Sequence, residues 1–366
     1  MTSDGSKKYI RIAAVIAIVI LVVAGLTYLA TKGGEEERRK EIPTEVWIER
    51  LNEASSIRTG YSSSKVLTVN VNMEGGPLVS IAASSAAIGR IGDEMTYNPV
   101  LVHDLRDDAY QRYMSLTDRD PEEIDSRDPE NSTIQLAMDS FRESDFLMIY
   151  SSYTEGLKGI ALATYYNIPM IYAHRINDNV RGLLDELGTK YVISIGESPI
   201  PDLPTMGLGL EEGPCHNEVF MMCLESRGDS TDYVVALNPG DIDMGWEGTE
   251  GIPVRGISAA APQLIAYRKA LSFFVEGYNR SELEVDMDDK ENYNQMGAAV
   301  EVANGYSDGI KEMVLHAWDL SKEKSSLDLR YLGLVGDPIA VPYHYEYFDP
   351  GSGGVKFSNT NFVASD

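Results

Sequence analysis

The chain has 366 residues, of which 43% are hydrophobic, and its formal net charge is −26. This length suffices for two or three domains of ordinary size, and the hydrophobic content is too high for general disorder. A surface this acidic repels nucleic-acid phosphates, so nucleic-acid binding is excluded as a working hypothesis.

An uncharged apolar segment near the N-terminus, residues 12–30, is the most specific signal in the chain. A helix rises ~1.5 Å per residue, so this segment just crosses a hydrocarbon core of ~30 Å. It also lacks the polar stripe of a buried helix in a soluble protein. We therefore predict a single-pass anchor in the lipid bilayer, preceded by a cytoplasmic tail at residues 1–11.

The orientation of this anchor follows from the sizes of its flanks, because basic residues are about equally frequent on both sides. A short N-terminal tail and a large C-terminal body predict the N-terminus inside and the body extracytoplasmic. A cleaved signal peptide is the alternative, with Val22 and Ala24 at its cleavage site, but the apolar segment continues beyond them. A reversed topology would give a sensor that faces the cytoplasm.

Residues 31–64 are rich in charge and predict an exposed stalk between the membrane and the body. One charged helix is expected after Pro43, with Thr44 as its N-cap.

Residues 65–200 predict an α/β module. The clearest part is 145–198, where uninterrupted apolar strands alternate with helices, as in parallel sheets that are covered on both faces. The blocks before it are, in order, a strand at 65–73, a strand at 98–105, an acidic proline-punctuated loop at 118–133 and a helix at 133–144.

Residues 201–231 predict an irregular connection that contains both cysteines, Cys215 and Cys223. Their spacing is not that of a zinc site. In an exported protein they could close a short disulfide loop; two buried thiols are the alternative.

Residues 232–366 predict a second α/β module, with a strand at 232–241, a helix within 258–279 that a strand could follow, a helix at 291–323 and a closing strand at 330–338. Later strands of this block are missing, so we expect a fragment of a longer protein. The predicted fold is thus an N-terminal transmembrane helix followed by two Rossmann-like parallel-sheet α/β modules, the second of them incomplete.

A candidate calcium site follows the first strand of this block. Asp241, Asp243 and Glu247 alternate around Gly245, and hard oxygen ligands at this spacing suit Ca²⁺. The alternative is a solvated acidic turn. No other cofactor is predicted.

A second candidate site lies where the last apolar strand stops, at Asp337 with His344 downstream. Ligands gather at the carboxyl ends of parallel strands, which favours a site or a bound cation here. The alternative is a tight strand exit, in which Gly336 and Pro338 form the turn and Asp337 caps it.

Two Asn-x-Ser/Thr triplets, at Asn131 and Asn279, are glycosylation candidates if the body is exported in a glycosylating host.

Residues 145–198 resemble the type 2 cell-wall-binding repeat of bacterial and archaeal surface proteins. The residues that carry this resemblance are Ala161 to Ala163, Asn167 to Ile171, Leu187-Gly188 and Tyr191 to Gly196. The resemblance implies a parallel α/β module that attaches to polymeric envelope material.

The later part is similar to archaeal surface proteins over Asp232 to Pro239, Ala261 to Ala270 and Leu332 to Pro342. The last of these blocks is also similar to the region that precedes the catalytic domain of gingipain-type cysteine peptidases. In that family the catalytic His and Cys come later in the chain, so no residue here takes their roles.

Two hypotheses follow. The first is a membrane-anchored surface protein that binds cell-envelope polymer or a surface partner and is non-catalytic as it stands. The second is the upstream part of a gingipain-like membrane-anchored peptidase whose catalytic residues lie beyond residue 366.

Overall fold

The computed structural model describes most of the body. The described residues are 42–59, 65–91, 94–103, 108–210, 215–242, 246–247, 253–254, 257–275, 277–278, 293–336, 341, 345–346 and 356–357. The predicted tail and membrane anchor, residues 1–30, lie outside them. Within the described ranges, no helix has both the length and the apolar character that crossing a bilayer requires.

The first described elements belong to the body, so the expectation of an exposed stalk is wrong from Thr44 onward. Helix α1 (Thr44–Glu53) buries Trp47, Ile48 and Leu51, which recur at the spacing of one helix face. Strand β1 (Ser56–Arg58) then pairs with a strand near residue 142.

Residues 65–124 form a first α/β unit. Its elements are β2 (Lys65–Asn70), α2 (Gly76–Ala87), the hairpin β3 (Ile88–Ile91) and β4 (Glu94–Tyr97), β5 (Val100–His103), α3 (Asp108–Leu116) and β6 (Asp120–Ile124). Its sheet is parallel, in the order β5-β2-β6. The acidic loop predicted at 118–133 is therefore partly wrong, because β6 is a proline-containing edge strand.

A second unit follows at residues 129–208. Its elements are α4 (Pro129–Ser140), β7 (Phe141–Ser144), β8 (Phe146–Tyr150), α5 (Tyr153–Tyr166), β9 (Met170–Tyr172), α6 (Asp178–Glu186), β10 (Tyr191–Ile195) and β11 (Thr205–Leu208). Strand β7 is the partner of β1, and the main sheet is parallel in the order β11-β10-β8-β9.

The predicted irregular connection at 201–231 is wrong. Strand β11 extends the second sheet, and helix α7 (His216–Ser226) buries Val219, Phe220 and Leu224 in the main hydrophobic core.

A third unit follows α7. Its elements are β12 (Thr231–Leu237), a 3-10 turn (Pro239–Ile242), the short hairpin β13 (Trp246–Glu247) and β14 (Pro253–Val254), α8 (Ala261–Arg268), β15 (Leu271–Phe274), α9 (Tyr293–Ser321) and β16 (Leu327–Val335). Its sheet is parallel in the order β15-β12-β16, and a short hairpin joins β17 (Tyr345–Glu346) to β18 (Lys356–Phe357).

The parallel α/β character predicted from the sequence is confirmed, but the number of modules is not. The described residues contain three parallel sheets, and in each the first strand lies between the second and the third. The predicted module 65–200 is in fact two units, because the strands between residues 65 and 124 pair only with one another.

The three units pack through equivalent helices. Helices α2, α5 and α8 each follow the central strand of a unit, and each contacts the other two. Hydrogen bonds also join the units: Tyr150 Oη donates to the carbonyl of Leu78 at 2.7 Å, and Tyr153 Oη to the carbonyl of Ser258 at 2.6 Å. The described body is therefore made of three units that share one order of their first three strands and pack on one another through these helices.

Candidate functional site

The strand order of each unit defines where a ligand site is expected. In each unit the chain runs from the central strand to the neighbouring strand on one side, and then crosses over to the neighbouring strand on the other side. Ligands of open parallel sheets bind at such reversals, beyond the carboxyl ends of the strands. In the second unit this place lies between the ends of β8 and β10, and in the third between the ends of β12 and β16.

In the second unit, a carboxylate of the protein itself occupies this crevice. Glu155, in the first turn of α5, accepts hydrogen bonds from the backbone N of Ser151 at 2.9 Å and from its Oγ at 2.7 Å. From the other strand it accepts bonds from the backbone N of Glu197 at 2.8 Å and from Ser198 Oγ at 3.0 Å. The carboxylate thus joins the ends of β8 and β10.

The backbone at the end of β10 is shaped around this carboxylate. Gly196 has a φ of +56°, and a Cβ at this position would lie 2.3 Å from Glu155 Oε1. The start of a helix attracts anions through its free N–H groups and its dipole. Here Glu155 takes the place that the anionic group of a ligand would occupy, so we regard this edge as a structural clasp.

The equivalent edge of the third unit contains the predicted calcium ligand Asp241. Asp241 is only 2% exposed, and its carboxylate accepts hydrogen bonds from the backbone N of Ser258 at 3.0 Å and from Ser258 Oγ. Burial raises the pKa of the adjacent Tyr153 phenol, and the charge of Asp241 raises it further. Asp241 therefore fixes the segment that leads into α8.

The structure leaves the predicted calcium site untested, because only Asp241 has a described side chain. Glu247 lies in β13, and Asp243 lies outside the described residues. Across the residues that the structure does describe, no group of three His, Cys, Asp or Glu side chains could hold a metal ion. The calcium site stays a prediction, as does the strand-end site, because Asp337 and His344 also lie outside the described residues.

Both cysteines are free thiols, so the structure favours the alternative to a disulfide, although only one of the two thiols is buried. Exposed Cys215 is the N-cap of α7 and buried Cys223 lies in the same helix. At ~1.5 Å rise per residue, their Cα atoms are about 12 Å apart, well beyond the ~7 Å limit of a disulfide. Burial raises the pKa of Cys223 to about 12, so this thiol stays protonated.

His216, the neighbour of Cys215, holds α7 against the third sheet. Its Nε2 lies 3.1 Å from both the carbonyl and the Oγ of Ser272, and its ring stacks on Phe274. Burial lowers the pKa of His216 to about 4, so the ring is neutral near pH 7. Its Nδ1 lies 3.9 Å from Cys215 Sγ. This contact belongs to the packing of α7 and is not predicted as a catalytic pair.

The glycosylation candidate Asn131 is exposed near the start of α4, where its Nδ2 donates to Asp128 and its Oδ1 accepts a bond from Asn179 at 3.1 Å. Asn279 lies outside the described residues.

Glu155 is not among the site residues predicted from the sequence, although the sequence contains a signal for it. Ser152 and Glu155 have the spacing of a capping box, in which the first side chain accepts from the backbone N of the second. The structure has this bond at 3.2 Å, but the Glu155 carboxylate reaches Ser151 instead of Ser152.

No family model matches the chain, and no curated protein sequence matches it. Among solved structures, the chain is similar to Cwp8 from Clostridium difficile, at 12% identity and a TM-score of 0.41 over 76% of this chain and 46% of that one. It is also similar to Cwp6 from Clostridium difficile, at 15% identity and a TM-score of 0.37 over 60% of this chain and 38% of that one. The chain thus spans less than half of either structure, and the likeness is too low to carry an argument about function.

Proposed function

We propose that this protein is a membrane-anchored surface protein whose body lies outside the cell and binds cell-envelope polymer or a surface partner. Residues 12–30 are the proposed anchor in the lipid bilayer, and residues 1–11 the proposed cytoplasmic tail. The body acts as a binding module, and its binding needs no catalytic group.

The threefold occurrence of one α/β plan carries the proposal. The second unit contains the stretch that resembles a wall-binding repeat, and the units on either side have the same strand order. An envelope polymer presents the same chemical group many times. A body with repeated units can engage several such groups at once, which raises the overall affinity without requiring tight individual sites.

The apolar segment supports the location. It carries no charged residue over 12–30, and the chain that follows it is strongly acidic. Such a body stays soluble beside an anionic membrane surface because like charges keep it off the headgroups.

The location is tested by fractionation and protease accessibility of intact cells that express the full chain. We expect the protein to stay in the membrane pellet after high-salt washing and to lose its body to external protease. Ile16→Lys combined with Ile20→Lys should release it, because each lysine costs ~3 kcal/mol near the centre of a bilayer helix. Ile16→Leu with Ile20→Leu is the matched control and should behave as wild type.

Binding is tested by co-sedimentation of the full chain, held in lipid nanodiscs, with envelope polymer purified from the source organism. The expected result is saturable sedimentation with polymer and none with lipid vesicles alone. A protein that stays in the soluble fraction of lysed cells, or one that ignores the polymer, contradicts the proposed function.

A further inference from the structure

A polar cavity opens at the amino edge of the third sheet, on the side opposite to the strand-end sites. It is a depression open to solvent, with a volume of about 540 Å³, within the ~300–1,000 Å³ that is usual for sites of small ligands. Its wall is formed by the start of β12, the end of α8 and the start of β16. The charged side chains of the wall are Asp229, Asp232, Arg268, Lys269, Asp328 and Arg330.

These charges cancel within the cavity. Lys269 Nζ lies 3.0 and 3.1 Å from the two carboxylate oxygens of Asp229, and an Arg268 nitrogen lies 3.6 Å from Asp232. Arg330 pairs with Asp328 in the same way. Each cation therefore has its own carboxylate, so the wall is rich in hydrogen-bond donors and acceptors but offers no excess charge to an ion.

Half-exposed tyrosines flank the cavity. Tyr267 belongs to its wall and contacts Tyr97, with ring centroids 5.1 Å apart; the two are 49% and 46% exposed. Tyr331, 52% exposed, stacks on Tyr233 at 5.9 Å, and the guanidinium of Arg268 in the cavity wall lies 4.8 Å from the Tyr233 ring. Clustered exposed aromatic rings in an acidic, soluble body mark a contact surface.

The backbone at the cavity is strained. Lys269 has a φ of +51°, a left-handed conformation that favours glycine and costs a lysine about 1 kcal/mol or more. Lys269 is the C-cap of α8, where a left-handed residue commonly ends a helix. At this position the side chain delivers an ammonium group to the cavity wall.

From these features we infer that the cavity binds a neutral saccharide unit. Sugar hydroxyls both donate and accept hydrogen bonds, as the paired carboxylates and cations require, while the C–H faces of a sugar ring pack on tyrosine rings. An anionic ligand would meet no unpaired cation and would be repelled by a chain of net charge −26. The inference rests on the proposed function, since it specifies the chemical class of envelope polymer that the body takes.

Calorimetric titration of the full chain tests this inference. The chain is kept in nanodiscs, because detergents with sugar headgroups would compete for the site. The probes are cello-oligosaccharides, N-acetylchito-oligosaccharides and manno-oligosaccharides, with oligogalacturonate of matched length as the anionic comparison. At least one neutral series should bind saturably, and oligogalacturonate should bind more weakly than that series.

Two variants locate the site. Tyr267→Ala removes a ring that would cover one sugar face and should weaken binding roughly tenfold. Lys269→Gly should also weaken binding, yet it should leave the melting temperature nearly unchanged, because the relief of the left-handed backbone offsets the lost ion pair with Asp229. A loss of affinity without a loss of stability separates a binding role from a structural one.

The controls use the same residue types away from the cavity. Trp318→Ala removes another half-exposed aromatic ring, and Lys322→Gln breaks the exposed pair with Asp319 on α9. Both should bind as wild type does.

Three results would overturn the inference: no neutral oligosaccharide binds, oligogalacturonate binds more tightly than the neutral probes, or both cavity variants bind as wild type. If one of these results is found while the chain is still membrane-anchored and still sediments with envelope polymer, the saccharide cavity is refuted and the proposed function is not. A chain that binds neutral oligosaccharides through the cavity but fails the membrane or polymer assay refutes the proposed function instead.

Discussion

The clasp at the end of β10 gives a sharp test of how the second unit is held together. Gly196→Ala introduces a Cβ 2.3 Å from Glu155 Oε1, at a φ of +56°. The left-handed backbone alone costs about 1 kcal/mol. Displacing the carboxylate weakens charge-assisted hydrogen bonds to both strand ends, which adds about 2 kcal/mol because water can restore part of them. We expect a total loss of about 3 kcal/mol in the free energy of unfolding.

Gly188→Ala is the matched control. Gly188 has a φ of +67°, but a Cβ there would have no atom within 4 Å. Gly188→Ala shares with Gly196→Ala the backbone strain and the change in entropy of the unfolded chain. It should therefore lower the free energy of unfolding by about 1 kcal/mol. The difference of about 2 kcal/mol between the two variants isolates the contact with Glu155.

A double-mutant cycle completes the test. In a Glu155→Ala background the new Cβ meets no carboxylate, so Gly196→Ala should cost about 1 kcal/mol, as at Gly188. The assay is urea unfolding followed by tryptophan fluorescence, to which buried Trp47 contributes. Equal costs at Gly196 and Gly188, or no coupling between Gly196 and Glu155, would refute the clasp.

Three further predictions concern buried groups. The His216 pKa falls from 6.5 in the unfolded chain to about 4 in the folded one, so the unfolded state binds more protons between these values. The contribution of neutral His216 to the free energy of unfolding is therefore fully present above pH 6.5 and is lost as the pH drops toward 4. At pH 5 the loss is about 2 kcal/mol. Urea unfolding at pH 7 and pH 5 should show this loss in the wild type and not in His216→Gln. A thiol reagent should label Cys215 in the folded protein and Cys223 only after unfolding; equal rates for the two would contradict the burial of Cys223. Asp241→Asn should lower the free energy of unfolding by about 2 kcal/mol, because Ser258 loses its charged hydrogen-bond acceptor. The decrease should be equal in buffer with calcium and in buffer with a chelator. A decrease seen only with calcium would instead support the predicted metal site.

The sequence predicts those strands whose environment leaves a simple pattern. Strand β8 is an uninterrupted apolar run, and β10 is interrupted only by buried Ser194, because helices cover both faces of their sheet. The predicted strand at 65–73 also exists, as β2. Strand β11 was missed because its four residues are too few to show a period. The helix after β2 was not predicted because it is buried almost all round, so it has no polar face.

The number of units and the cavity depend on contacts that local patterns do not record. Which strands share a sheet is decided by pairing between distant residues, such as β2 with β6, so the boundary between the first two units left no mark in composition. The cavity likewise combines side chains from β12, α8 and β16, and no single stretch of sequence contains more than part of its wall. Glu155 was accessible in principle, since its spacing from Ser152 is local.

The burial of α1 in the body also limits how far the protein can extend. With the anchor proposed at residues 12–30, only residues 31–43 separate the bilayer from Thr44, and a fully extended chain of that length spans at most about 45 Å. A longer flexible tether would let the body explore distant layers of the envelope. Under the proposed anchoring, a connection of 13 residues would hold the body in a shallow zone above the membrane, and any partner would have to reach that depth.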